Sequence, residues 1–121
     1  KDSIVRAPYG QGIFRKIIND TMNKEEFDKL KIRLMNEGNK FFDIPMDKYD
    51  LDVVISLNNY HAGYAAVAHN PCLTIPIGLR KSNEPAGITF IGKSFSEQLL
   101  YQIGFYFEDS YKGRIPPKNS N

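Results

Sequence analysis

Apolar side chains recur at helical spacing through the first third of the chain. Ile13, Phe14, Ile17 and Ile18 form one group; Phe27, Leu30, Leu34 and Phe41 extend a second. A repeat near 3.6 residues predicts a short helix and then a long one, each with one apolar stripe. Pro8, Gly10 and Gly12 punctuate residues 1–12, which read as a loop. Asn23 followed by Glu26 is a capping-box pattern, in which each side chain satisfies the other residue's backbone N–H. Lys24 to Arg33 mixes acidic and basic side chains as on a solvated helix face. Pro45 lacks the amide donor and is expected to break or restart the long helix.

The pattern then changes period. Residues 51–57, LDVVISL, are a continuous apolar run rich in β-branched side chains. Such a run after a helix predicts a strand covered on both faces and paired in parallel. Asn58, Asn59, Tyr60 and His61 form the turn at its carboxyl end. Small residues 62–69 predict a short helix stopped by Asn70-Pro71. CLTIPIGL, 72–79, is a strand whose internal Pro76 calls for an edge position or a bulge. KSNEP, 81–85, is a turn, and GITFIG, 87–92, is a strand suited to antiparallel pairing with the one before it. Ser94 to Glu97 repeats the capping-box pattern ahead of a helix that buries Leu99, Leu100, Ile103 and Phe107. Gly104 costs that helix about 1 kcal/mol against alanine, a cost consistent with close packing on the sheet. Gly113 fits the helix C-cap region, Pro116-Pro117 block continuation, and residues 118–121 are expected to be a disordered tail. These elements make an α/β fold, read as one domain over 1–121.

Composition narrows the function classes. With 41% apolar residues and 15 Phe and Tyr, 121 residues can bury a modest core. A net charge of +2, with the basic residues dispersed, points to no nucleic-acid partner and no anionic membrane. No apolar run approaches the ~20 residues that span a bilayer. The N-terminus has no signal-peptide core and no Met, so the natural start is expected to lie upstream. A single cysteine, Cys72, excludes an intrachain disulfide and is compatible with the cytoplasm.

Several constellations invite chemistry. Gly87 through Ser94 satisfies the phosphate-binding Gly-x-x-x-x-Gly-Lys-Ser pattern. That motif needs a strand before its first glycine and a flexible loop behind it. Here a polar turn precedes Gly87, and Ile88, Thr89, Phe90 and Ile91 are strand formers, so no nucleotide site is expected. Cys72, His61, His69, Asp50 and Asp52 suggest a thiol-hydrolase set, but no spacing gathers them. Cys72 opens an apolar strand and reads as a small buried hydrophobe. His61 and His69 are eight apart, unlike two ligands on one helix face, and no metal site is expected. Phe105, Tyr106, Phe107 and Tyr111 share one helix and read as packing on the sheet rather than base stacking. Asn58, Asn59, Tyr60 and His61 follow a strand's carboxyl end, where ligands of open α/β sheets gather. They read equally as a polar turn that caps the next helix.

Residues 65–117 resemble the closing segment of amidase-signature hydrolases. The resemblance rests on Ala65, Ala66, Val67, Ala68 and Pro71, then Pro76 and Gly78, Pro85 and Gly87, and Gly92. It continues through Phe95, Glu97, Leu99 and Leu100 to Arg114, Pro116 and Pro117. Tyr9-Gly10-Gln11, the Asn23–Phe27 helix start and Leu51-Asp52-Val53-Val54 resemble the region just upstream. Residues 63–71 are more similar to the general or peptide-amidase branch than to the A subunit of the tRNA-dependent amidotransferase, which has an Asp and a Thr ahead of Asn-x-x-Gly-Pro. His69-Asn70 and the missing Pro-Thr start of the 58–61 turn depart from the family pattern.

The resemblance implies that this is the C-terminal portion of a mixed β-sheet flanked by helices. It implies a parent enzyme that hydrolyses a small amide or peptide amide with a serine, a second serine and a lysine, without cofactor or metal. Its Ser/Gly-rich stretch and lysine have no counterpart here, so no catalytic residue is expected in this chain. Asn58, Asn59, Tyr60 and His61 become part of the substrate-cleft wall. Strands that lost neighbours are expected to pair with another copy, giving a homo-oligomer. The rival is a stand-alone α/β binding or scaffold domain without catalysis.

Overall fold

The computed structural model describes residues 10–116; the tail expected to be disordered, and residues 1–9, lie outside it. Contacts group the chain into two compact units, 1–31 and 32–121. In the first, helix α1 (Gly12–Ile18) has no buried residue, and Ile13, Phe14, Ile17 and Ile18 are all exposed. Helix α2 (Lys24–Tyr49) starts on the expected capping box. Asn23 N donates to Glu26 Oε2 at 3.1 Å and Glu26 N to Asn23 Oδ1 at 3.0 Å. Ion pairs Lys24–Asp28 and Lys29–Glu25 run along its solvated first turns.

Pro45 does not break α2, which continues to Tyr49. Proline removes one helical hydrogen bond and costs about 3 kcal/mol. Phe42 and Met46, either side of it, have no exposed surface and anchor both halves of the helix in the core.

The second unit is layered. Strands β1 (Val54–Leu57), β2 (Cys72–Leu79) and β3 (Pro85–Ile91) form a sheet in the order β1-β3-β2. Helix α3 (Ala62–Ala68) connects β1 to β2, and helix α4 (Glu97–Ser110) closes the fold. Alternation along β3 serves two cores. Ile91 meets Phe42, Met46, Ala65 and Ala68, with Val54 beside them. Phe90 meets Ile75 and Leu100, with Ile88, Ile103 and Phe107 packed alongside. The sheet therefore has α2 and α3 on one face and α4 on the other, an α/β fold.

The expected buried, parallel strand at 51–57 is corrected on both counts. β1 pairs antiparallel with β3, Val54 opposite Ile91 and Leu57 opposite Ile88, and it is an outer strand with Ile55 and Leu57 exposed. A strand–helix–strand pattern is present, but β3 inserts between β1 and β2, so those two share a direction without touching. The hairpin β2–β3 is antiparallel as expected, and Pro76 lies on an outer strand beside a bulge at Pro76/Gly78. Its turn closes through Asn83 N to the Arg80 carbonyl and Arg80 N to the Glu84 carbonyl.

The second capping box does not form. Ser96 is the N-cap of α4 but makes no cap hydrogen bond; its hydroxyl donates to the Lys93 carbonyl. Ser94 Oγ donates to the His69 carbonyl instead, tying the end of α3 to the segment after β3. Gly104 is used as expected: a Cβ there would lie 2.5 Å from Leu73 Cδ2. Phe107 meets Phe90 edge-on at 5.5 Å and Tyr111 at 5.7 Å. Phe105 and Tyr106, expected to pack on the sheet, are exposed instead, Phe105 at the rim of a cleft beside Leu73 and Ile75. At 100° per residue they fall out of step with Leu100, Ile103, Gly104 and Phe107.

Candidate functional site: the turn after β1 and the groove beside it

A row of hydroxyls crosses the sheet on the α2–α3 side. Ser56, Thr89 and Thr74 are register partners on β1, β3 and β2. Ser56 and Thr89 are buried. Thr74 Oγ1 and Thr89 Oγ1 are 2.7 Å apart, and Thr89 Oγ1 also donates to the Asn58 carbonyl in a short bond. The row ends at the 58–61 turn, and each turn residue has a different job.

Asn58 is left-handed at φ 49° and clamps the turn to β3. Its N–H donates to the Gly87 carbonyl at 2.8 Å, and its Oδ1 accepts from Gly87 N at 2.7 Å. Gly87 leaves room for this: a Cβ would lie 2.9 Å from Thr74 Cγ2 and 3.3 Å from the Ile75 carbonyl. Asn59 is exposed, and its carbonyl accepts from Ala62 N in the first turn toward α3. The Tyr60 hydroxyl accepts from Arg80 Nη2 at 3.2 Å. That hydrogen bond and the guanidinium charge hold the phenol below its ordinary range and raise the arginine. His61 Nδ1 and the buried Ser56 hydroxyl are 2.8 Å apart. Its ring lies near Phe41, at 6.1 Å and 24°, and Tyr64, at 6.2 Å and 41°. Asn58 thus holds the turn to β3, no side chain caps α3, and Tyr60 and His61 are exposed.

A groove of about 540 Å³ lies beside Tyr60 between the second half of α2 and α3. Leu34, Phe41, Tyr60, Tyr64 and Val67 line it, with Glu37 at its edge. Phe41 and Tyr64 stack at 5.4 Å and 18°, so one wall is preformed. Periodicity marked Leu34 and Phe41 as a stripe but said nothing of the gap opposite them. Ser56, Thr74 and Thr89 were missed as a set. Each is the hydroxyl residue on the same face of its strand, a signal that becomes visible only once the register is known.

The remaining candidates stay apart. Residues 87–91 belong to the central strand β3, and Lys93 Nζ is 2.5 Å from Asp47 Oδ1 rather than at a phosphate-binding loop. That bond to Asp47 raises the Lys93 ammonium above its usual range. Cys72 is exposed on outer strand β2, not the buried hydrophobe expected, because β2 has no neighbour on its far side among the described residues. Partial burial of the thiol still pushes its pKa up. Among the described residues no group of three or more His, Cys, Asp or Glu is placed to hold a metal. No described helix is long and apolar enough to cross a membrane.

This geometry has relatives. An amidase family protein from Bacillus anthracis superposes with a TM-score of 0.87 and 34% identity, over 97% of this chain and 23% of that one. A probable amidase of Arabidopsis thaliana is 29% identical over 111 residues, covering 91% of this chain and 22% of that protein. The A subunit of the glutamyl-tRNA(Gln) amidotransferase of Chlamydia muridarum is 34% identical over 77 residues, 60% of this chain and 16% of that protein. No family model matches. The chain belongs to the amidase-signature family. It spans about a fifth of the length of the relatives it matches.

Proposed function

We propose that this chain forms part of an amidase that hydrolyses carbon–nitrogen bonds of a small amide or peptide amide. The agreement with the Bacillus amidase family protein, at 34% identity over nearly the whole chain, carries this reading. The serine, second serine and lysine of the mechanism belong to a portion outside residues 1–121, and backbone amides there hold the oxyanion. The buried Ser56 hydroxyl, though paired with His61, is no candidate nucleophile: only 4% of the residue is exposed, and a substrate carbonyl has no approach. The chain contributes part of the cleft wall through Tyr60 and His61, held in place by Asn58. The general or peptide-amidase branch is favoured because the Arabidopsis relative aligns over 91% of the chain against 60% for the amidotransferase relative. Self-association through the outer edges of β1 and β2 belongs to the same reading, and a monodisperse monomer in sedimentation would reject it.

The test is a chimera of the Bacillus protein in which this chain replaces the matching segment. The isolated chain should leave a panel of simple amides at the buffer rate, while the chimera hydrolyses those its parent hydrolyses. A folded chimera without that activity, or amide turnover by the isolated chain lost in Cys72→Ala, would reject the assignment.

A further inference from the structure

The groove between α2 and α3 is concave and apolar, with a volume of about 540 Å³, and of its lining the proposed cleft wall uses only Tyr60. Five large side chains surround it, and Phe41, Tyr60 and Tyr64 are each more than half exposed. An apolar groove on a folded surface is a place where another protein segment can seat. The outward face of α4 is different. There Tyr101, Phe105 and Tyr106 are interleaved with Gln98 and Gln102, whose amides tolerate solvent.

We propose that the groove is the docking face for the complementary portion of an amidase-family fold, which seats an apolar ridge in it. The inference rests on the amidase reading above. Three observations support this occupant. The Bacillus protein carries more than three further chain lengths beyond the matched 23%, and that polypeptide must pack against the segment it shares with this chain. The groove is rigid before anything binds. A Cβ on Gly38 would lie within 3.1 Å of the Ala68 backbone, so the two helices are locked at close approach, and Phe41 already stacks on Tyr64. Little ordering entropy is therefore lost on docking. Finally, among the described residues no basic side chain lines the groove, and the one carboxylate there, Glu37, is paired with Lys40 at 3.0 Å. An uncharged protein surface fits these walls; a polyanion does not.

The experiment uses the Bacillus protein with its matched segment deleted as the binding probe, and the full 121-residue chain. Val67→Glu and Tyr64→Glu place a charge in the groove at exposed positions; Tyr106→Glu is the control on α4. Each groove variant should weaken binding at least tenfold, with the control unchanged and helicity intact. A variant that unfolds is replaced by Tyr64→Ser. In the chimera, the groove variants should lower Tm more than the control does. Binding that ignores the groove, no binding with no difference in chimera Tm, or an effect confined to self-association would overturn the proposal. The last outcome would make a second copy the occupant. Groove-dependent binding without amide hydrolysis would reject the amidase reading alone; hydrolysis with groove-independent binding would reject the docking face alone.

Discussion

Gly38→Ala tests how tightly α2 and α3 are locked. Two effects oppose each other. Alanine at a mid-helix position gains about 1 kcal/mol of helix propensity over glycine. The added methyl would sit 2.9 Å from Ala68 Cβ, 3.0 Å from Ala68 N and 3.1 Å from Ala68 Cα. None of these atoms is the far end of a flexible side chain, so relief requires the helices to separate. Separation loosens Phe42, Met46, Ala65 and Ala68 together, because they form one cluster. Overpacking of this kind costs about 1–3 kcal/mol, and at a contact this rigid we expect the upper half of that range. The net expectation is destabilisation of about 1–2 kcal/mol. Gly104→Ala is the matched control: its Cβ meets Leu73 Cδ2, a side-chain end that can rotate away. A rotamer shift of about 0.5–1.5 kcal/mol there is offset by the same propensity gain, so it should be nearly neutral. Urea unfolding followed by circular dichroism, with the slope unchanged, measures both. Adding Ala68→Gly to Gly38→Ala should recover part of the loss, since only one of the three contacts is removed. Equal or greater stability for Gly38→Ala, or a larger loss for Gly104→Ala, would refute the argument.

Asn70→Ala removes the buried Nδ2 donor to the Gly92 carbonyl at 2.7 Å, and thermal melts should show a loss of about 1–3 kcal/mol; an unchanged Tm would mean the bond is dispensable. Burial raises the Cys72 thiol pKa, so at neutral pH less thiolate is present and iodoacetamide should react more slowly than with free cysteine, catching up as pH rises above the usual thiol range; faster reaction at pH 7 contradicts this. Arg80→Gln should return the Tyr60 phenol toward its ordinary pKa, so in ring-labelled NMR its ionisation moves to higher pH; no movement would discard Arg80 as the cause. Lys93→Ala should leave ATP affinity undetectable by calorimetry in both proteins and shift stability by less than about 1 kcal/mol, because the Asp47 pair is exposed; micromolar ATP binding lost in the variant would contradict the strand at 85–91.

Local physics was legible where the deciding interaction is short-range. Asn23 and Glu26 form their box because both partners lie within one helical turn. Pro76 marks an outer, bulged strand because its missing N–H excludes it from a central one. The β2–β3 hairpin follows from a short turn between two apolar runs, and Gly104 announced a close approach before the neighbour was known. The resemblance carried by Pro71, Pro76, Gly78, Pro85, Gly87 and Phe95 likewise pointed to the amidase-signature family.

Other features depended on which distant segments meet. Pro45 continues a helix because Phe42 and Met46 are held by a core that includes Ile91, far along the chain. Residues 54–57 pair antiparallel because β3 slots between β1 and β2, which no local propensity encodes. The hydroxyl row of Ser56, Thr74 and Thr89 exists only in the final register. Cys72 and Tyr106 are exposed because their side of an element has no neighbour among the described residues. The sequence by itself determined element types, caps and breakers, since these are settled within a few residues by dihedral sterics and local hydrogen bonds. Strand order, register and the α2–α3 groove were decided by tertiary structure, because they follow from the apolar surface that remote segments bury against one another.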